Sequence, residues 1–146
     1  MDDLAYIVGL ANENEEALGF IPETRMAYYI AREQYIIQPT TVGKRAGYIL
    51  HGKPTPGGIL TIAQAVIDYD LRDQGLGRFA VSELIERARK TNCREIKLRC
   101  ADDLEANNFW QALGFELTNT LHPANRRRRA INVYMLSLWP RLFKAG

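Results

Sequence analysis

The stretch from Ile59 to Arg89 constrains this chain more than any other. Ile59 to Asp68 is apolar almost throughout, as a central strand covered on both faces would be. A loop with two glycines follows, Arg72-Asp73-Gln74-Gly75-Leu76-Gly77-Arg78, and an amphipathic segment starts at once. Leu76 to Arg89 reads as a helix, with Leu76, Phe79, Ala80, Leu84, Ile85 and Ala88 assigned to one side. A strand that delivers the chain straight into a helix start aims several backbone N–H groups at one spot, and the helix dipole adds partial positive charge there. Gly75 and Gly77 remove side chains that would hold a diphosphate away from those amides. Arg72 and Arg78 offer charge-assisted donors. Two glycines before a helix also occur in plain tight turns. Neither the three-glycine dinucleotide spacing nor the Lys-Ser/Thr of a P-loop is present.

Around this centre the pattern alternates. Leu4 to Gly9 reads as a short edge strand, and Asn12 to Glu16 opens a helical patch with acids where the dipole favours them. Pro22 suits the first turn of a helix continued by Arg25 to Gln34, with Met26, Tyr29 and Ile30 at helical spacing. Tyr35 to Thr41 and Ala46 to His51 are rich in β-branched and aromatic residues, hence strands. Lys53 to Gly58 is a turn by composition. Downstream, Glu95 to Cys100 alternates as a half-buried strand does, Leu104 to Leu113 is helical and stops at Gly114, and Phe115 to His122 and Ile131 to Leu138 close the pattern as strands. The expectation is an α/β (α+β) fold, with one mixed sheet flanked by helices.

With 146 residues, the chain suits one domain, 1–146. A net charge of +2 gives no global argument for nucleic acid or membrane. Cys93 and Cys100 make no disulfide or metal framework, and His51 and His122 stand apart from any ligand cluster, so no metal is expected. The start, Met1-Asp2-Asp3, is acidic and no long apolar run follows, so the expected location is the cytoplasm.

Arg-x-x-Gly-x-Gly between a strand and an amphipathic helix resembles the coenzyme A signature of the GNAT N-acetyltransferases. Downstream, Asn107-Asn108-Phe109-Trp110-Gln111-Ala112-Leu113-Gly114-Phe115 resembles the family's Asn-x-x-aromatic-aromatic-x-x-x-Gly-Phe element. The order of elements agrees over nearly the whole chain. The resemblance, to a small single-domain bacterial or phage-type member, implies a mostly antiparallel sheet of about six to seven strands with about four helices, splayed at its central strands. It implies acetyl-CoA as co-substrate, held by Val66, Ile67, Asp68, Arg72, Asp73, Gln74, Gly75, Leu76, Gly77 and Arg78, with Asn107 and Trp110 beside the pantetheine. One main-chain N–H among Val66 to Asp68 would face the thioester carbonyl, and a primary amine would attack directly.

The proton-transfer pair departs from the family. Many members use a glutamate in the central strand as base and a tyrosine in the later helix as acid. Here Gln64 and Trp110 stand at those positions, and neither an amide nor an indole can serve. Glu33, His51, Asp68, Asp70 and Tyr134 are the substitutes to weigh. The resemblance implies as acceptor a small-molecule amine or a protein lysine or N-terminus, and a monomer or homodimer is expected. An alternative is a degenerate module that only binds acetyl-CoA, or that holds nucleic acid through Arg126-Arg127-Arg128-Arg129, a run that equally suits a solvated hairpin loop. Tyr28, Tyr29 and Tyr35 suit either packing or an acceptor pocket, and Leu138 to Phe143 reads as an apolar tail that docks.

Overall fold

The computed structural model describes residues 1–68, 71–125 and 128–139. Helices α1 (Asp3–Glu13), α2 (Glu15–Leu18) and α3 (Glu23–Ala31) precede strands β1 (Tyr35–Pro39), β2 (Arg45–His51) and β3 (Ile59–Ile67). Helix α4 (Leu76–Lys90), strand β4 (Glu95–Ala101), helix α5 (Ala106–Ala112) and strands β5 (Glu116–Leu121) and β6 (Ile131–Ser137) follow. The six strands pair in the order β1-β2-β3-β4-β6-β5. Every neighbouring pair is antiparallel except β3–β4, whose parallel ladder is three pairs long, Ile59↔Glu95 to Thr61↔Lys97. None of the described helices is long and apolar enough to cross a membrane.

The segment expected as a strand, Leu4 to Gly9, is helix. Asp2 caps it, its Oδ1 accepting the Ala5 N–H at 2.7 Å, and Ile7, Leu10 and Ala11 recur at helical spacing on a buried face. Gly9 costs about 1 kcal/mol in a helix. Burial of Ile7 and Leu10 returns roughly 1.5–3 kcal/mol each, so the helix wins. Among the described residues the sheet therefore has six strands, and the helices number five. Phe79 also differs from expectation: it lies outside the i, i+4, i+8 row of Leu76, Ala80 and Leu84, and is 65 % exposed.

The chain forms two compact units, Met1–Lys53 with Ile62–Leu84, and Pro54–Thr61 with Ile85–Gly146. In the first, Ile7, Leu10, Ala11 and Met26 of the helices pack on Tyr48, Leu50 and Val66 of the strands. An ion pair at 2.9 Å joins Asp3 to Arg45, and the Tyr35 hydroxyl donates to the other Asp3 oxygen, so α1 is tied to β1 and β2. In the second, Trp110 packs its ring against Phe109 and Phe115, at 4.9 and 5.3 Å between centroids.

Candidate functional site

In the first unit, β2 and β3 pair in strict register from Gly47↔Ile67 to Leu50↔Gln64. The Asp68 N–H donates to the Ala46 carbonyl at 2.8 Å, which fixes the parity of the ladder. Val66 and Asp68 therefore turn their main-chain polar groups toward β2, and Ile67 turns its own toward the opposite edge. Consistent with that parity, the Ile67 carbonyl accepts from Arg72 Nε at 3.1 Å rather than from β2. Of the three residues expected along the pantetheine, Ile67 alone presents an outward N–H.

The loop after β3 returns through Arg72, whose Nη2 donates to Asn14 Oδ1 at 2.9 Å. Asp73 and Gly75 are both left-handed, with φ of 65° and 76°. A Cβ built on Gly75 meets nothing within 4 Å, so open space adjoins its backbone. The Gly75 carbonyl accepts the Phe79 N–H at 3.2 Å, which opens α4 and directs its first amides past Gly75. Gln74 and Arg78 are exposed on either side. Left-handed backbone, a helix start with amides in need of acceptors, nearby guanidinium groups and free space together fit a diphosphate.

Gln64 is 4 % exposed and accepts a hydrogen bond from the Tyr48 hydroxyl at 2.6 Å. Its Nε2 and the Tyr6 hydroxyl are buried without partners. Burial foremost, then the Asp68 carboxylate, raises the Tyr6 phenol to about 12; Arg45 opposes this and Glu13 adds to it. Burial, with a smaller contribution from Tyr6, pushes Tyr48 well above the usual phenol value. Both stay protonated at neutral pH. Sequence reasoning passed over Tyr6 and Tyr48. Tyr6 was hidden in a supposed strand, whereas Tyr48, two residues before Leu50 opposite Gln64, became visible only once the register was known.

In the second unit, Asn107 is a hub. Its Nδ2 donates to the Ala101 and Leu104 carbonyls at 2.8 and 2.7 Å, and its Oδ1 accepts from Asn132 and Tyr134 at 2.9 and 2.7 Å. This side chain positions the start of α5 against β4 and β6. Tyr134 is fully buried, and its proton is committed to Asn107. Trp110, 7 % exposed, is a packing residue. Burial raises the Cys100 thiol and keeps it neutral.

The remaining substitutes for acid and base stand apart. Glu33 is exposed in a left-handed turn after α3, with φ of 57°. His51 is buried, with Nδ1 2.8 Å from the Gly52 carbonyl, so Nδ1 carries the proton. Asp70 lies outside the described residues, as do Arg126, Arg127 and the tail from Pro140. Arg129 forms a fork on Asp103, with contacts from 2.7 to 3.1 Å, and holds that carboxyl below its ordinary range. Arg128 is exposed.

A family model described as the Acetyltransferase (GNAT) family matches residues 2–115. No curated sequence matches the chain. Among solved structures, Ard1 of Thermoplasma volcanium is similar with a TM-score of 0.80 at 16 % identity, over 94 % of this chain and 93 % of its own. The protein yncA of Salmonella typhimurium, solved with its cofactor acetyl-CoA, gives 0.75 at 19 % identity over 97 % and 91 %. The ribosomal-protein-S18-alanine N-acetyltransferase of Escherichia coli gives 0.74 at 22 % over 99 % and 90 %.

Proposed function

The chain belongs to the GNAT acetyltransferase family, and from that premise we propose that residues 1–146 act as one N-acetyltransferase domain. It moves acetyl from acetyl-CoA to a primary amine by direct attack in a ternary complex. The observation that carries this reading is the open, left-handed backbone at Gly75, immediately before the amides of α4. Those amides, with Arg72 and Arg78, take the diphosphate of the co-substrate. Acetyl-CoA supplies the activated thioester. The outward Ile67 N–H is the main-chain donor for the thioester carbonyl, fixed in place by the β2 ladder before reaction begins.

The amine must shed a proton before it attacks. Gln64 cannot take it. Asp68, half-buried at the end of β3 within electrostatic reach of Tyr6, is the carboxylate best placed in the first unit. Alignment of the two reactants lowers the barrier by several kcal/mol by itself, so the missing glutamate does not abolish catalysis.

A thermal melt with and without acetyl-CoA tests this reading. At about a hundred times its dissociation constant the co-substrate adds roughly 2.7 kcal/mol, a shift of several degrees at this size. Gly75→Trp fills the open space and removes the shift. No shift in the wild-type protein would sink the reading.

A further inference from the structure

The loop that follows β3 is tied to a residue far from it in the chain. Arg72 Nη2 donates to Asn14 Oδ1 at 2.9 Å, across 58 positions of sequence, and Arg72 Nε donates to the Ile67 carbonyl at 3.1 Å. Asn14 is the C-cap of α1 and the N-cap of α2. Its amide is oriented from the other end, because Nδ2 donates to the Leu10 carbonyl at 2.9 Å. With the nitrogen held there, the oxygen is turned to accept, and a guanidinium can only donate. The bond between Asn14 and Arg72 therefore has one polarity, and it is charge-assisted.

The backbone beside Arg72 needs such a hold. Asp73 has φ of 65°, a conformation that a residue with a side chain keeps only where its surroundings enforce it. Upstream, the Leu71 N–H donates to the Asp68 carbonyl at 2.9 Å, and the Asp68 N–H donates to the Ala46 carbonyl of β2 at 2.8 Å. Downstream, the Gly75 carbonyl opens α4. Arg72 stands between these two fixed points, and its side chain carries the connection to α1 and α2. All of these residues belong to the first unit.

We propose that Asn14 is a positioning residue for acetyl-CoA that acts through Arg72. It aims the guanidinium that adds charge beside the diphosphate, and it holds the loop in the left-handed shape that leaves Gly75 open. This rests on the acetyltransferase reading above and extends it to a residue outside both family motifs. Coupling of this kind is reciprocal: a clasp that favours the bound co-substrate is itself favoured by it, and α2 is steadied. The Ala17 and Leu18 N–H groups, each donating to the Asn14 carbonyl at 3.0 Å, report that effect.

The test is acetyl-CoA binding by titration calorimetry to wild type, Asn14→Ala, Arg72→Ala and the double variant, with unliganded melts to check folding. Asn14→Ala weakens binding about threefold to tenfold, the worth of one net hydrogen bond. In the Arg72→Ala background the same change has no further effect. Hydrogen exchange at Ala17 and Leu18 slows when acetyl-CoA is added to wild type, and the slowing is lost in Asn14→Ala and Arg72→Ala alike. Binding by Asn14→Ala within about twofold of wild type overturns the assignment. So does an equal loss in both backgrounds, since Asn14 then acts by another route, or slowing that persists in either variant. A wild-type protein that binds no acetyl-CoA overturns the acetyltransferase reading itself, and the coupling with it.

Discussion

Tyr6 on α1 and Tyr48 on β2 are both tyrosines of the first core, yet their hydroxyls differ in consequence. Tyr48 is fully buried and its proton goes to Gln64. Tyr48→Phe leaves Gln64 Oε1 without its donor and should cost about 1–3 kcal/mol in chemical denaturation without ligand. Tyr6→Phe deletes a hydroxyl that has no partner, so unliganded stability should hold or rise by up to about 1 kcal/mol. If the two variants destabilise equally, the Tyr6 hydroxyl has a protein partner after all. Asn107 teaches the complementary lesson. The family pattern places it beside the co-substrate, while its amide groups here join α5, β4 and β6 through four hydrogen bonds.

At the scale of elements, β2 and β3 approach closely because Gly47 faces Ile67. A Cβ at Gly47 would collide with the Val66 carbonyl and lie 2.9 Å from the Ile67 Cα, both backbone atoms that cannot step aside alone. Gly47→Ala should therefore cost about 2–4 kcal/mol and weaken acetyl-CoA binding together, since the strand that moves is the one that presents the Ile67 N–H. Differential melting with acetyl-CoA checks both effects. A variant that loses stability but keeps its full melt shift would separate Ile67 from the co-substrate. Helix α1 has a comparable dual role: its apolar face builds the first core, and the same helix carries Asp3 to Arg45 and packs Tyr6 against that core.

For the whole molecule, the raised phenols make a statement about alkaline stability. A phenol whose folded pKa lies above its unfolded value of about 10 stabilises fully below pH 10, and that contribution is lost as pH rises. For Tyr6 the loss spans roughly pH 10 to about 12, and Tyr48 extends it upward. Denaturation midpoints should fall across that window, and Tyr6→Phe should flatten its lower part; an unchanged slope would count against burial of the Tyr6 hydroxyl. The sequence by itself determined the strand–loop–helix passage from Ile59 to Lys90, the other five strands to within a residue or two, and the glycine at the turn into α4, because hydrophobic period, β-branching and glycine placement are local properties. It misread Leu4 to Gly9, where six residues were too short a window for period 3.6 to emerge against period 2, and where Asp2 was the cap that decided. Only the tertiary structure decided which main-chain N–H faces outward, that Phe79 lies in solvent, that the Asn107 side chain is a hub, and that Gln64 and Tyr6 have donors without acceptors. Each of these depends on strand register or on contacts between residues distant in the chain, and a one-residue change of register would reverse the first of them.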